Sequence, residues 1–223
     1  KTLASNNSIL ELANVGVGVT SENSKLLVQY LHDVESLNYD LIPEKNSVSR
    51  LGWIEGEGFS PYVENLVFDG DVNFKSYFES VQCHGDYDTW LELAKKVRSG
   101  NVFPRLILAA SFASVLVKPL GGLPFFLHIW GGTEVGKTVG LMLAASVWAN
   151  PEVGRYIHTF NSTSVGREKS AAFVNSLPLI LDELQIIKDK KDFDQSIYML
   201  SEGAGRTRGN KSGGVDKTPT WSN

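Results

Sequence analysis

The stretch Trp130-Gly-Gly-Thr-Glu-Val-Gly-Lys-Thr138, directly after the apolar run Pro124-Phe-Phe-Leu-His-Ile129, constrains this chain more than any other. Gly131, Gly136, Lys137 and Thr138 satisfy the G-x-x-x-x-G-K-[ST] pattern of a phosphate-binding loop. Glycines at 131, 132 and 136 let the backbone turn with positive φ and bring N–H groups close to phosphate oxygens, so Gly131, Gly132, Thr133, Glu134, Val135 and Gly136 form the expected cradle. Lys137 supplies a point charge for the β/γ-phosphates, and the Thr138 hydroxyl is the expected Mg²⁺ ligand. A helix starting at Thr138 turns its positive end toward the same place. The competing reading is a glycine-rich turn with an incidental lysine. The flanking apolar strand and apolar helix favour the phosphate loop.

A second half of such a site lies at Leu177-Pro-Leu-Ile-Leu-Asp-Glu-Leu184. A short apolar run ending in two carboxylates reads as a buried parallel strand with Asp182 and Glu183 at its carboxyl end. In open α/β sheets ligands bind beyond that end. Asp182 is then expected in the Mg²⁺ shell and Glu183 as the group that polarises the attacking water. Acidic residues at a helix N-terminus are the alternative. Together the two stretches point to ATP hydrolysis with Lys137, Asp182 and Glu183 as catalytic residues.

Composition narrows the setting. The 223 residues allow one large domain or two small ones, and 42% hydrophobic content suffices for a packed core. A net charge of −4 argues against a protein coated in nucleic acid, though not against a local basic element. One cysteine, Cys83, excludes an internal disulfide framework and suits a reducing, cytoplasmic location. The longest apolar stretch, residues 106–117, is too short to span a bilayer. The opening Lys1 and the ending Thr218-Pro-Thr-Trp-Ser-Asn223 read as those of a fragment.

Along the chain, residues 1 to about 100 carry no catalytic signature and read as an α+β accessory region. It holds a capped amphipathic helix after Ser21-Glu-Asn-Ser24, short strands at 52–54 and 62–68, and a helix capped by Asp86 and ended by Gly100. Residues 101–223 read as the ATPase core. A helix over about 104–117, apolar nearly all round, is expected to be buried. Strands at 124–129, 155–160 and 177–182 alternate with helices, which predicts an α/β fold with a parallel sheet and right-handed crossovers.

The segment Ser201-Glu-Gly-Ala-Gly-Arg-Thr-Arg-Gly-Asn-Lys-Ser-Gly-Gly-Val-Asp-Lys217 sets Arg206, Arg208, Lys211 and Lys217 against Glu202 and Asp216. Basic residues on a pliable loop suit phosphate contacts that carry no base information. By composition alone a solvated surface loop fits equally well.

The sequence resembles the family called domain of unknown function number 927, found on phages and other mobile elements. The resemblance is carried by Leu51-Gly-Trp53, the loop at 130–138 with Ser146-Val-Trp148, Thr159-Phe-Asn161, Leu179-Ile-Leu-Asp-Glu183, and the basic segment before Trp221. That family is similar to ring-forming AAA+ P-loop NTPases near the superfamily III and MCM helicases. The resemblance implies a hexamer that hydrolyses ATP between subunits and threads DNA, expected to be single-stranded, during replication of a mobile element. A hairpin before the third motif strand points into the pore of such rings, so Arg206, Arg208 and Lys211 become candidate DNA contacts, or one of them an arginine finger. Ser222 or Asn223 would position the attacking water. A packaging-type ATPase, or a nucleotide-dependent switch that moves no strand, shares the same motifs.

Overall fold

The computed structural model describes residues 5–186, 190–209 and 213–222. These form two compact units, Lys1–Lys45 and Asn46–Asn223. In the first, a 3₁₀ segment (Ser8–Val15) closed by Gly16 in the left-handed conformation precedes helix α1 (Ser24–Leu37). Asn23 precedes α1 without capping it, because its side-chain oxygen accepts the Thr20 N–H at 2.7 Å instead. The apolar stripe of α1 is open: Leu26, Tyr30, Val34 and Leu37 are all exposed. The core of this unit rests on Ile9 and Val19.

The second unit begins with strand β1 (Asn46–Val48), the hairpin of β2 (Gly52–Ile54) and β3 (Gly58–Ser60), and β4 (Leu66–Phe68), which pairs in parallel with β1. Helices α2 (Lys75–Ser80) and α3 (Tyr87–Ser99) follow. Asp86 caps α3 by accepting the Thr89 N–H at 2.8 Å, satisfying one of the orphan donors of the first turn. Then come α4 (Val102–Ser114), α5 (Lys137–Ala145), β5 (His158–Thr159), α6 (Ser164–Val174), β6 (Leu181–Asp182) and α7 (Lys190–Glu202).

Compactness divides the chain at Lys45, well before the expected boundary near residue 100. Residues 46–81 share the core of the phosphate-loop half: Leu51, Tyr77 and Val81 pack in one cluster with Ala145, Tyr156, Phe173 and Leu177. Backbone bonds tie the same parts, since the Leu51 N–H donates to the Phe173 carbonyl at 2.8 Å. The Asn175 side-chain amide donates to the carbonyls of Leu51 (2.9 Å) and Trp53 (3.0 Å). Tryptophan indoles clasp neighbouring elements through buried donors that need partners. Trp53 donates to the Val115 carbonyl at 2.7 Å, Trp148 to the Ser111 carbonyl at 3.2 Å, and Trp221 to the Leu200 carbonyl at 2.9 Å.

Two expectations from the sequence differ from what is seen. Helix α4 buries only one side (Leu108, Ser111, Ser114), while Phe103, Leu106 and Phe112 are exposed. The run 124–129 has no regular secondary structure and joins no ladder among the described residues. A cavity of about 590 Å³ separates it from the segment 178–185, with Ile107, Leu141 and Ala144 among its walls. The described strands therefore form three two-stranded sheets. One of them, β5 with β6, is parallel and joined through α6, so β5–α6–β6 is a strand–helix–strand crossover. No helix among the described residues is long and apolar enough to cross a membrane.

Candidate functional site

The phosphate-type loop is built as its glycines require. Gly136 adopts φ +85°, ψ +19°, a left-handed conformation that a side chain disfavours, and α5 begins at the next residue. Lys137 folds back over the loop, its ammonium donating to the carbonyls of Gly131 (3.0 Å) and Gly132. Glu134 also sits at positive φ, +63°. Trp130 and Val135 are exposed on the outside of the loop.

The acidic strand end arrives beside it. In the β5–β6 pair Thr159 lies opposite Asp182, and the Phe160 N–H donates to the Asp182 carbonyl at 2.8 Å. Oδ2 of Asp182 accepts the Thr138 hydroxyl at 3.1 Å, and Oδ1 accepts the Glu183 N–H at 2.7 Å. Those two bonds fix the plane of the carboxylate. Glu183 holds φ +60°, which for a non-glycine residue costs roughly 1–2 kcal/mol. Such strain concentrates at ligand clamps and catalytic turns. The structure thus brings Thr138, Asp182 and Glu183 together at the end of the 131–137 loop.

A hydroxyl and a carboxylate in contact at a helix start suit Mg²⁺, which takes one or two protein oxygens and fills its remaining positions with phosphate and water. No group of three or more His, Cys, Asp or Glu is gathered among the described residues, and a Mg²⁺ site of this kind needs none. The residues present fit the ion.

The described parts of the basic segment, 203–209 and 213–221, pair as the two arms of an antiparallel hairpin. Ala204 bridges Thr220 and Gly209 bridges Val215, with the Gly205 N–H donating to the Pro219 carbonyl and the Asp216 N–H to the Arg208 carbonyl, both at 2.8 Å. Arg206 is exposed. Arg208 is not free: its guanidinium grips the carboxylate of Glu168 through two bonds of 2.7 Å. Lys211 and Asn223 lie outside the described residues. Ser222 donates its N–H to the Asn175 carbonyl at 2.8 Å, and its hydroxyl meets Ser176. These partners belong to the turn that follows α6, where Asn175 holds φ +59°.

Sequence reasoning passed over Arg167 and Glu168, neighbours on α6 and each 2% exposed. Arg167 donates to the Phe160 carbonyl (3.3 Å), to the Ser162 carbonyl, to both Asp192 oxygens (3.0 Å each) and to Ser196 (2.8 Å), and its guanidinium lies 5.3 Å from the Phe160 ring centroid. It fastens α7 to the end of β5. Arg208 beside Glu168 holds that carboxyl below the usual glutamate range, with the Arg206 N–H adding to the effect. His158 on β5 is pushed the other way from charge: burial lowers its pKa, and its Nε2 has no hydrogen-bond partner.

A family model described as "Domain of unknown function (DUF927)" matches residues 2–221, and the chain belongs to that family. No curated protein matches it.

Proposed function

We propose that this chain binds ATP with Mg²⁺ and hydrolyses it, as one subunit of a ring-forming DNA helicase or translocase that serves a phage or mobile element. The observation that carries the reading is the 3.1 Å contact between Thr138 and Asp182 at the mouth of a glycine loop with Gly136 at positive φ. The parallel β5–α6–β6 crossover supports an α/β P-loop architecture.

In this reading the backbone amides of Gly131 to Thr138 receive the phosphate oxygens, and Lys137 exchanges its two loop carbonyls for the β/γ-phosphates. Thr138 and Asp182 hold Mg²⁺, which when bound supplies charge neutralisation at the β- and γ-phosphates. Glu183 accepts a proton from the attacking water. The water oxygen bonds to the γ-phosphorus, the bond to the β–γ bridging oxygen breaks, and ADP leaves with that electron pair. Arg206 on the hairpin contacts the phosphates of a single strand.

The test is ATP turnover with and without single-stranded DNA, for the natural protein and Arg206→Ala. DNA should raise turnover of the first. Arg206→Ala should lose most of that rise while binding ATP as before, with the salt slope of DNA binding reduced by about one. The second reading, a nucleotide-dependent switch or assembly module, draws on the net charge of −4 and on the engagement of Arg208 with Glu168. Turnover indifferent to DNA in both proteins would favour it. Particle mass with and without ATP tests the hexamer.

A further inference from the structure

The hairpin arms, residues 203–209 and 213–221, are fastened to the body of the unit by a buried carboxylate. Glu168 is 2% exposed, and its two oxygens each accept one 2.7 Å bond from the Arg208 guanidinium. This is the fork-on-carboxylate geometry that fixes orientation as well as distance. The hairpin comes so close that a Cβ on Gly205 would stand 2.7 Å from the carboxyl carbon of Glu168, so a side chain there would push the carboxylate out of its place. One residue earlier on α6, Arg167 grips Asp192 and Ser196 of α7 and the carbonyl of Phe160, whose N–H binds the Asp182 carbonyl. Two adjacent residues of one helix therefore link the hairpin, α7 and the strand end that carries Asp182.

We propose that Arg208 is a positioning residue: its ion pair with Glu168 latches the hairpin to α6, and Arg208 affects DNA binding through hairpin placement rather than by touching phosphate. This rests on the DNA-contact reading for its consequence, though the latch itself does not. Arg206, exposed two residues earlier, remains the contact residue. The depressed titration of Glu168 keeps the carboxylate ionised, and the latch closed, across the neutral range.

Glu168→Gln separates the two roles, because it raises the net charge by one. If Arg208 were a phosphate contact competing with Glu168, removing the carboxylate would free it and strengthen DNA binding. The latch requires the reverse. We expect Glu168→Gln and Arg208→Lys, which keeps the charge but not the fork, each to speed amide hydrogen exchange at residues 204–209 and 215–221 by at least about tenfold. Each should also weaken binding of a fluorescent single-stranded oligonucleotide by about tenfold. ATP affinity and exchange in α5 should stay unchanged, which guards against a merely unfolded variant. Arg206→Ala should weaken DNA binding with hairpin exchange unchanged. Exchange at the natural rate in Glu168→Gln, or DNA binding equal to or tighter than the natural protein's, overturns the proposal. If the natural protein binds no oligonucleotide at low salt, the DNA-contact reading fails, and natural exchange in both variants would remove the latch as well.

Discussion

Gly52 offers the sharpest check on how residues 46–60 join the rest of the second unit. Its φ is +76°, and a Cβ there would meet the backbone nitrogen of Ser176 at 2.7 Å and the Ser176 Cβ at 2.9 Å. Gly56, four residues on in the β2–β3 turn, has nearly the same φ (+79°) and nothing within 4 Å. Alanine at either site takes on the left-handed backbone cost, roughly 1–2 kcal/mol. Gly52→Ala adds a collision with main chain that cannot rotate away, worth roughly 1–3 kcal/mol more. Gly56→Ala should therefore cost about 1–2 kcal/mol and Gly52→Ala about 2–5 kcal/mol, the latter lowering Tm by some 4–20 °C at roughly 2–4 °C per kcal/mol for a unit of this size. Urea unfolding followed by tryptophan fluorescence is the assay. All five tryptophans (Trp53, Trp90, Trp130, Trp148 and Trp221) lie in the second unit, so the signal reports on it alone. Equal costs within about 0.5 kcal/mol, the scatter of independent surface changes, would refute the close approach of β2 to the end of α6.

Two further outcomes follow from the site and its surroundings. Glu183→Gln should retain ATP binding and lower turnover by about 10²–10⁴-fold, and a loss of threefold or less would remove Glu183 from the water-activating role. His158, whose pKa burial depresses, binds fewer protons in the folded than in the unfolded chain once pH drops toward about 6.5. Its contribution to stability is complete above that pH and declines as pH falls through it. His158→Phe keeps a ring against Tyr77 and should flatten the stability curve below about pH 6.5. Identical curves for the two proteins would contradict this.

The parts legible in the sequence were those where chemistry dictates residue types at adjacent positions. Lys137 and Thr138 follow glycine and Asp182 ends an apolar run, so local pattern alone singles out Thr138 and Asp182, the pair that the fold brings into contact. The strand at 124–129 was expected from apolarity alone. An apolar run looks the same whether it pairs in a sheet or lines a cavity, and its hydrogen-bond partner is not encoded nearby. The place of residues 46–81 was hidden because their anchors are remote: Asn175 reaches Leu51 across 124 positions. The partner of Arg208 was hidden for a related reason. A basic residue in a glycine-rich segment reads as solvated until the buried partner, Glu168, 40 positions away, is seen.

The claim on which the rest depends is that two remote segments hold one triphosphate and its metal between them. The direct measurement is calorimetric ATP affinity with and without Mg²⁺ for the natural protein, Thr138→Ala, Asp182→Asn and the double variant, with Lys137→Ala as the control that abolishes binding. If both residues hold the same ion, each single change removes the Mg²⁺-dependent gain in affinity and the double change removes no more, a coupling that independent sites do not show. A Mg²⁺-dependent gain that survives in Asp182→Asn, or losses that simply add, would contradict the account.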